Sequence, residues 1–244
     1  AEELNIAREL VNTPGSHLTP DDLARHAISS AKGIKSISVN ILDSKKMATL
    51  KMNAVLAVGD SSPNKPKFIV MEYNGAKKSD KPVVFVGKGV TFDTGGSNIK
   101  PGDHMNGMHM DMAGGAIAIH TLLALAKLKV KRNIVVLVPA VENRVTGDSY
   151  LPGDIIIGMS GKPIEVLNTD AEGRVILSDA LTYAKKYNPE VVIDLATLTG
   201  AAVVALGSRV SAIFCNDADL ACKLNKIGED TKNLMWPMPL YDEY

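Results

Sequence analysis

Pro82-Val83-Val84-Phe85-Val86-Gly87-Lys88-Gly89-Val90-Thr91-Phe92-Asp93-Thr94-Gly95-Gly96 is the stretch from which the fold can be read. Its first five residues form an apolar, largely β-branched run, the pattern of a strand buried on both faces. The glycines that follow break the run and let backbone approach a bound group closely. Lys88 and Asp93 stand just past the strand's carboxyl end, where open α/β sheets gather their ligands.

Outward from this strand, helical and extended patterns alternate. Glu2 to Val11 carries Leu4, Ala7, Leu10 and Val11 at helical spacing, and Asn12-Thr13-Pro14-Gly15 ends it. Thr19 reads as an N-cap with Pro20 at the first helical position. Ser36 to Leu42 alternates as a half-buried strand, and Asn53–Val58 and Phe68–Tyr73 read as further strands. Ala113 to Leu128 predicts a mostly buried helix, Asn133 to Pro139 a strand and Val175 to Lys186 a helix. Val191–Leu195 and Ser211–Cys215 read as two more strands. This alternation predicts an α/β domain around a mixed, largely parallel sheet, undivided by any repeat, low-complexity tract or linker.

The 244 residues, 45% apolar and 22% charged, have the composition of a folded protein. Lys plus Arg equals Asp plus Glu at 27 each, so no net field favours nucleic acid or an anionic membrane. The one basic segment, Lys127 to Arg132, is short and interleaved with aliphatics. Cys215 and Cys222 are too few for a disulfide scaffold and fit a reducing compartment. No signal peptide opens the sequence, and no apolar run approaches the ~20 residues of a membrane span. The expectation is a soluble, cytoplasmic protein.

A second chemical cluster lies at Asn168-Thr169-Asp170-Ala171-Glu172-Gly173-Arg174, before the apolar helical run Val175–Leu181. Two carboxylates two positions apart offer the hard oxygens that divalent cations prefer, with a permanent positive charge beside them. A third carboxylate, Asp111, sits among Met and Ala at the start of an apolar helix, so it needs a partner or serves as a helix cap. Taken alone, Lys88 could be an anion partner on a Gly-rich loop, and Arg174 could pair with Asp170 or Glu172. Other motifs fail. Gly87-x-Gly89 lacks the third glycine and following helix of a dinucleotide loop. Asp93-Thr94-Gly95 has no second Asp-Thr/Ser-Gly with which to share a proton. The five histidines form no HExxH, and His104 and His109 are five apart.

With both clusters in view, the chain resembles the leucyl aminopeptidase family, two-metal cytosolic exopeptidases. NTDAEGR before an apolar helix, GKGVTFDTGG…IKP, and Asp194-Leu195-Ala196-Thr197-Leu198-Thr199-Gly200-Ala201 carry the resemblance, in the family's order and spacing. It covers the whole chain as part of the catalytic domain, a three-layer α/β/α fold. By the same resemblance, residues 1–244 lack the family's small N-terminal domain and stop several tens of residues before the family's C-terminus. It implies Lys88, Asp93, Asp111, Asp170 and Glu172 as ligands of two divalent cations, Mn2+ or Zn2+, and Lys100 and Arg174 as catalytic groups. As a ligand, Lys88 must be a neutral amine, its pKa lowered by burial and by the metals.

The implied reaction is removal of the N-terminal residue, Leu or another large apolar one, from peptides with a free amino terminus. A metal-activated water attacks, Lys100 polarises the carbonyl, and Arg174 holds a bicarbonate that carries the proton. Asn168, Met108, Thr197, Leu198 and Gly200 are the implied substrate contacts. Met105, Met110 and Met112 read as core packing instead. The family assembles as homohexamers. The competing reading is an inactive member that serves as an assembly or binding module.

Overall fold

The structure, a computed structural model, describes residues 1–243. The chain divides into two compact units, Ala1–Thr197 and Leu198–Tyr244. The first contains, in order, α1 (Glu2–Asn12), α2 (Pro20–Ala31), β1 (Ile37–Leu42), α3 (Ser44–Thr49), α4 (Asn53–Gly59), β2 (Lys67–Asn74), β3 (Val83–Gly87) and β4 (Gly89–Asp93). There follow α5 (Ala113–Lys127), β5 (Asn133–Asn143), β6 (Ile155–Ile157), β7 (Pro163–Glu165), α6 (Glu172–Ala184) and β8 (Val191–Leu195).

The sheet is built on β5, which is buried along almost its whole length. β2 pairs with β5 antiparallel, and β1 in turn pairs with β2 antiparallel. β3 runs parallel to the first half of β5 and to β8, while β4 runs parallel to its second half. β3 and β4 are therefore successive pieces laid along one partner, interrupted only at Lys88.

Side chains alternate across this sheet, as the period of two requires. Phe68, Val70, Val84, Val86, Val135 and Leu137 face a core closed by α4 and α6. Ile69, Met71, Ile134, Val136 and Val138 face the opposite core under α2 and α5. This is a three-layer α/β/α architecture around a mixed sheet, the fold class expected.

The capping at Thr19 is as read: Asp22 N–H donates to its hydroxyl oxygen at 3.3 Å, and the Thr19 N–H donates to the Asp22 carboxylate at 3.0 Å. Three expectations need correction. Asn53–Val58 is helix α4, because its first N–H groups find the buried Asp179 carboxylate, at 2.9 Å from Ala54 and 3.1 Å from Val55. A short apolar run carries no period that separates strand from buried helix. Residues 87–96 are not all loop, since Gly89–Asp93 pairs as β4. The stretch Gly102–Lys127 does have the length and composition of a membrane span, at a mean hydropathy of 1.2. Only Ala113–Lys127 of it is α-helix, and its Ile119, Leu122 and Leu123 lie in the core, so it is a core helix.

The second unit holds α7 (Ala201–Leu206), β9 (Ser211–Ile213), α8 (Ala218–Thr231) and β10 (Met235–Pro237), with β10 parallel to β9. Asp217 caps α8, accepting from Leu220 N–H at 3.0 Å. Cys215 and Cys222 are free thiols.

Candidate metal and catalytic site

The break between β3 and β4 turns Lys88 inward. Its N–H donates to Leu195 C=O at 2.9 Å and its C=O accepts from Gly115 N–H at 2.8 Å, so the backbone is pinned on both sides. Glycines permit this approach. A Cβ on Gly114 would lie 1.9 Å from the Leu195 oxygen, and one on Gly173 would lie 2.8 Å from Lys88 Cε. Any other residue at 173 would push the lysine off the first turn of α6.

The buried Lys88 ammonium lies 2.7 Å from both Asp111 Oδ2 and Glu172 Oε1, and donates to Thr197 C=O at 3.2 Å. Asp111 Oδ1 accepts from Thr197 Oγ1 at 2.7 Å. Asp111 thus caps nothing; it is an ion-pair partner. A parallel arrangement sits beside it. Lys100 Nζ lies 2.8 Å from Asp93 Oδ2 and 2.6 Å from Asp170 Oδ1. Asp93, Asp170 and Glu172 present ligand oxygens within 4.8 Å of one another.

Burial acts on Glu172, Asp111 and Lys88. It pushes Glu172 up to about 8, with the charges of Asp93 and Asp111 adding and Lys88 opposing. Asp111 is likewise raised by burial, against the pull of Lys88. For Lys88, burial pulls downward but the Glu172 and Asp111 charges outweigh it, so its pKa stands above the ordinary lysine value. Lys88 is therefore an ammonium in this structure, not the neutral amine that metal ligation requires. The two states exchange only if a stronger positive charge takes over the same carboxylates.

Four carboxylates face two ammonium groups here, a surplus of negative charge in a buried setting. Buried ion pairs add little net stability, because desolvation offsets their attraction. The donor set, hard oxygens converging within a few ångströms plus one amine, fits divalent cations.

Residues outside the expected set hold this arrangement. Asn143, the last residue of β5, donates from Nδ2 to Asp93 Oδ1 at 2.8 Å and to Thr169 C=O at 3.0 Å. Thr169 N–H and Asn98 N–H are tied reciprocally to the Asn98 and Thr169 side chains, each at 2.8 Å. Thr169 Oγ1 also donates to Gly95 C=O at 2.7 Å, and Tyr150 OH donates to Thr169 C=O at 2.8 Å. Thr169 stitches the 93–100 loop to the 168–174 turn, with Gly95 and Gly96 at φ +90° and +62° giving the loop its shape. One signal was available for Asn143: a Glu-Asn pair closing an otherwise apolar strand at its carboxyl end.

The remaining expected residues scatter. Arg174 is exposed and forms no ion pair or hydrogen bond among the described residues, so it does not balance Asp170 or Glu172. Asn168 Oδ1 accepts from Asp170 N–H at 2.8 Å, capping the turn that presents the carboxylate. Met108 is half-buried in a short 3-10 turn. Of the methionines expected in the core only Met112 is there; Met110 is 44% exposed and Met105 half-buried, because the 3-10 turns 102–105 and 108–110 bury no residue. Leu198 and Gly200 belong to the second unit.

A "Probable cytosol aminopeptidase" of Nitrosococcus oceani is 48% identical over all 244 residues, and one of Methylibium petroleiphilum is 51% identical over 239. The chain spans about half the length of these relatives, 49% of each. A crystal structure of cytosol aminopeptidase from Coxiella burnetii superposes with a TM-score of 0.92 at 38% identity, covering 98% of this chain and 51% of that one. The bottromycin maturation enzyme BotP, solved in complex with Mn, superposes at 0.93 and 34% identity, covering 100% of this chain and 53% of that one. The catalytic domain of the cytosol aminopeptidase family matches residues 5–244, and the chain belongs to that family.

Proposed function

We propose that residues 1–244 are the catalytic domain of a metal-dependent aminopeptidase that releases N-terminal Leu and other large apolar residues from peptides. The observation that supports this most is the pairing of Asp111 and Glu172 with Lys88 beside that of Asp93 and Asp170 with Lys100, with ligand oxygens of Asp93, Asp170 and Glu172 within 4.8 Å of one another, in a member of this family. Those five residues would hold two divalent cations, Mn2+ or Zn2+. Such cations supply a water of lowered pKa and polarise a carbonyl oxygen.

The chain's own groups do the rest. Lys100, aimed by Asp93 and Asp170, donates to the scissile carbonyl oxygen and stabilises the negative charge that develops there. Arg174, unpaired and exposed, has the planar fork to hold bicarbonate by two parallel hydrogen bonds. That anion brings the proton carrier which no side chain in the cluster provides. Asn168 holds the turn at Asp170, and Met108 and Thr197 contact the substrate's first residue. The native assembly in this reading is a cytoplasmic homohexamer that engages neither membrane nor nucleic acid.

The test is hydrolysis of leucine amide with added Mn2+ or Zn2+, against EDTA. Activity abolished by the chelator and restored by metal is expected. Activity indifferent to EDTA overturns the reading. A folded, metal-loaded protein without activity assigns the chain to a non-catalytic role.

A further inference from the structure

We infer that Asn143 is the positioning residue that sets how tightly the acidic cluster holds its cations. The inference rests on the two-cation reading above and adds a residue to it. Asn143 is fully buried, and its two amide hydrogens go to Asp93 Oδ1 at 2.8 Å and Thr169 C=O at 3.0 Å, with Glu172 Oε2 at 3.5 Å beside them. Asp93 and Glu172 come from segments 79 positions apart by number, and Asn143 is the one side chain among the described residues whose amide nitrogen lies within 3.5 Å of both carboxylates.

The consequence is a sorting of oxygens. Asp93 Oδ1 is committed to Asn143 and to Gly95 N–H at 2.9 Å, which leaves Oδ2 facing the Lys100 ammonium. Glu172 Oε2 is turned to Asn143, which leaves Oε1 facing the Lys88 ammonium. Asp93 thus presents one oxygen to positive charge and ties the other to protein, while Glu172 presents one oxygen to Lys88 and rests the other at long range against the Asn143 amide. The carboxamide is held for this task. The Asn143 backbone C=O accepts both Thr94 N–H and Thr94 Oγ1–H at 2.9 Å, and the residue sits in ladder register with Asp93.

Its own Oδ1 is buried without a partner, against Gly96. Turning the amide over would satisfy nothing and would set Oδ1 against two carboxylates, acceptor against acceptor. The orientation with an orphan oxygen is kept because the donors are needed on the ligand side. Outer partners of this kind orient ligands and tune affinity.

Asn143→Val and Asn143→Thr form a near-isosteric pair that differs by one hydroxyl donor. Mn2+ titration calorimetry and the electron paramagnetic resonance of bound Mn2+ are measured on both, with melting temperatures in EDTA. Asn143→Val is expected to bind Mn2+ about 10–100-fold more weakly, with Asn143→Thr between it and wild type. Saturating Mn2+ should restore kcat to within a few-fold, which a merely structural lesion would not allow. Equal Mn2+ affinity in all three proteins, or lost activity that excess Mn2+ leaves unrestored, overturns the inference. Should Asn143→Val not fold, the wild-type Asn143 side-chain amide resonances decide: they are expected to shift on Zn2+ addition, and unmoved resonances overturn it. A wild type that fails to bind two Mn2+ sinks the two-cation reading and this inference together. Two bound Mn2+ with indifferent variants sinks this inference alone.

Discussion

Helix α6 carries two buried acids, Glu172 at its start and Asp179 two turns on, and the protein treats them in opposite ways. Both are about 1% exposed, and burial raises the pKa of each. Asp179 receives three backbone N–H groups, from Ala54 at 2.9 Å, Val55 at 3.1 Å and Met159 at 2.7 Å. Its charge is spread over main-chain dipoles that cannot leave, and the result is a joint between α4, α6 and the segment before β7. Glu172 receives an ammonium at 2.7 Å and a long contact from Asn143 at 3.5 Å. Its partner is a side chain, which can move or lose a proton. A carboxylate buried for architecture is satisfied by backbone; one buried for chemistry keeps an oxygen toward exchangeable positive charge.

The sharpest way to break this contrast is at the cluster. Asp170→Ala and Glu172→Gln are expected to lose bound metal and at least about 10³-fold in kcat/KM, since metal assistance supplies several kcal/mol. Their melting temperatures in EDTA should stay within a few degrees of wild type. Metal content by atomic emission, read beside the melting curve, checks this. Next comes Arg174→Ala, expected to keep both metals while kcat falls by about 10²–10⁴, the range for a lost acid–base function. Metal loss matching that of Asp170→Ala would make Arg174 structural.

Asp179→Ala should do the reverse of Glu172→Gln. It strands three buried N–H donors at about 1–3 kcal/mol each, partly relieved by water. A loss of about 3 kcal/mol in urea unfolding is expected, with Mn2+ affinity of the folded fraction unchanged.

The smallest effect concerns a half-buried acid, Glu3, which pairs with His120 Nδ1 at 2.6 Å while His120 and His26 meet through Nε2 at 3.0 Å. Burial, helped by His120, holds His26 below 6.5. The unfolded chain therefore takes up the proton first as pH falls. His26 contributes its stabilisation fully above pH 6.5 and loses it as pH drops toward the lower folded value. The melting temperature should decline between about pH 7 and 5, and His26→Gln should flatten that slope.

Some of this was legible in order. The buried strand 83–87, the capped helix at Thr19 and the long helix from Ala113 follow from hydrophobic period and cap chemistry, which are local. The ligands proposed at 88, 93, 111, 170 and 172 came with the family resemblance, whose motifs are short and local in the chain, whereas Lys88 alone read equally as an anion partner. Asn53–Val58 was misread because α4's start is satisfied by Asp179, 125 positions away. Asn143 was passed over because nothing local in an asparagine at a strand's end says which carboxylates it will reach.

The sequence by itself determined the alternation of elements, the placement of charge at strand ends and the motifs that carry the family resemblance, since these depend on residue type and on neighbours within a turn or two. Only the tertiary structure decided which ammonium faces which pair of carboxylates, that Arg174 has no ion pair among the described residues, and that the buried Asn143 carboxamide donates to Asp93 beside Glu172. Those ammonium and carboxamide contacts join groups 7 to 84 positions apart. Such contacts are set by how β5, β3 and α6 stack, a packing of two apolar cores that no local pattern encodes.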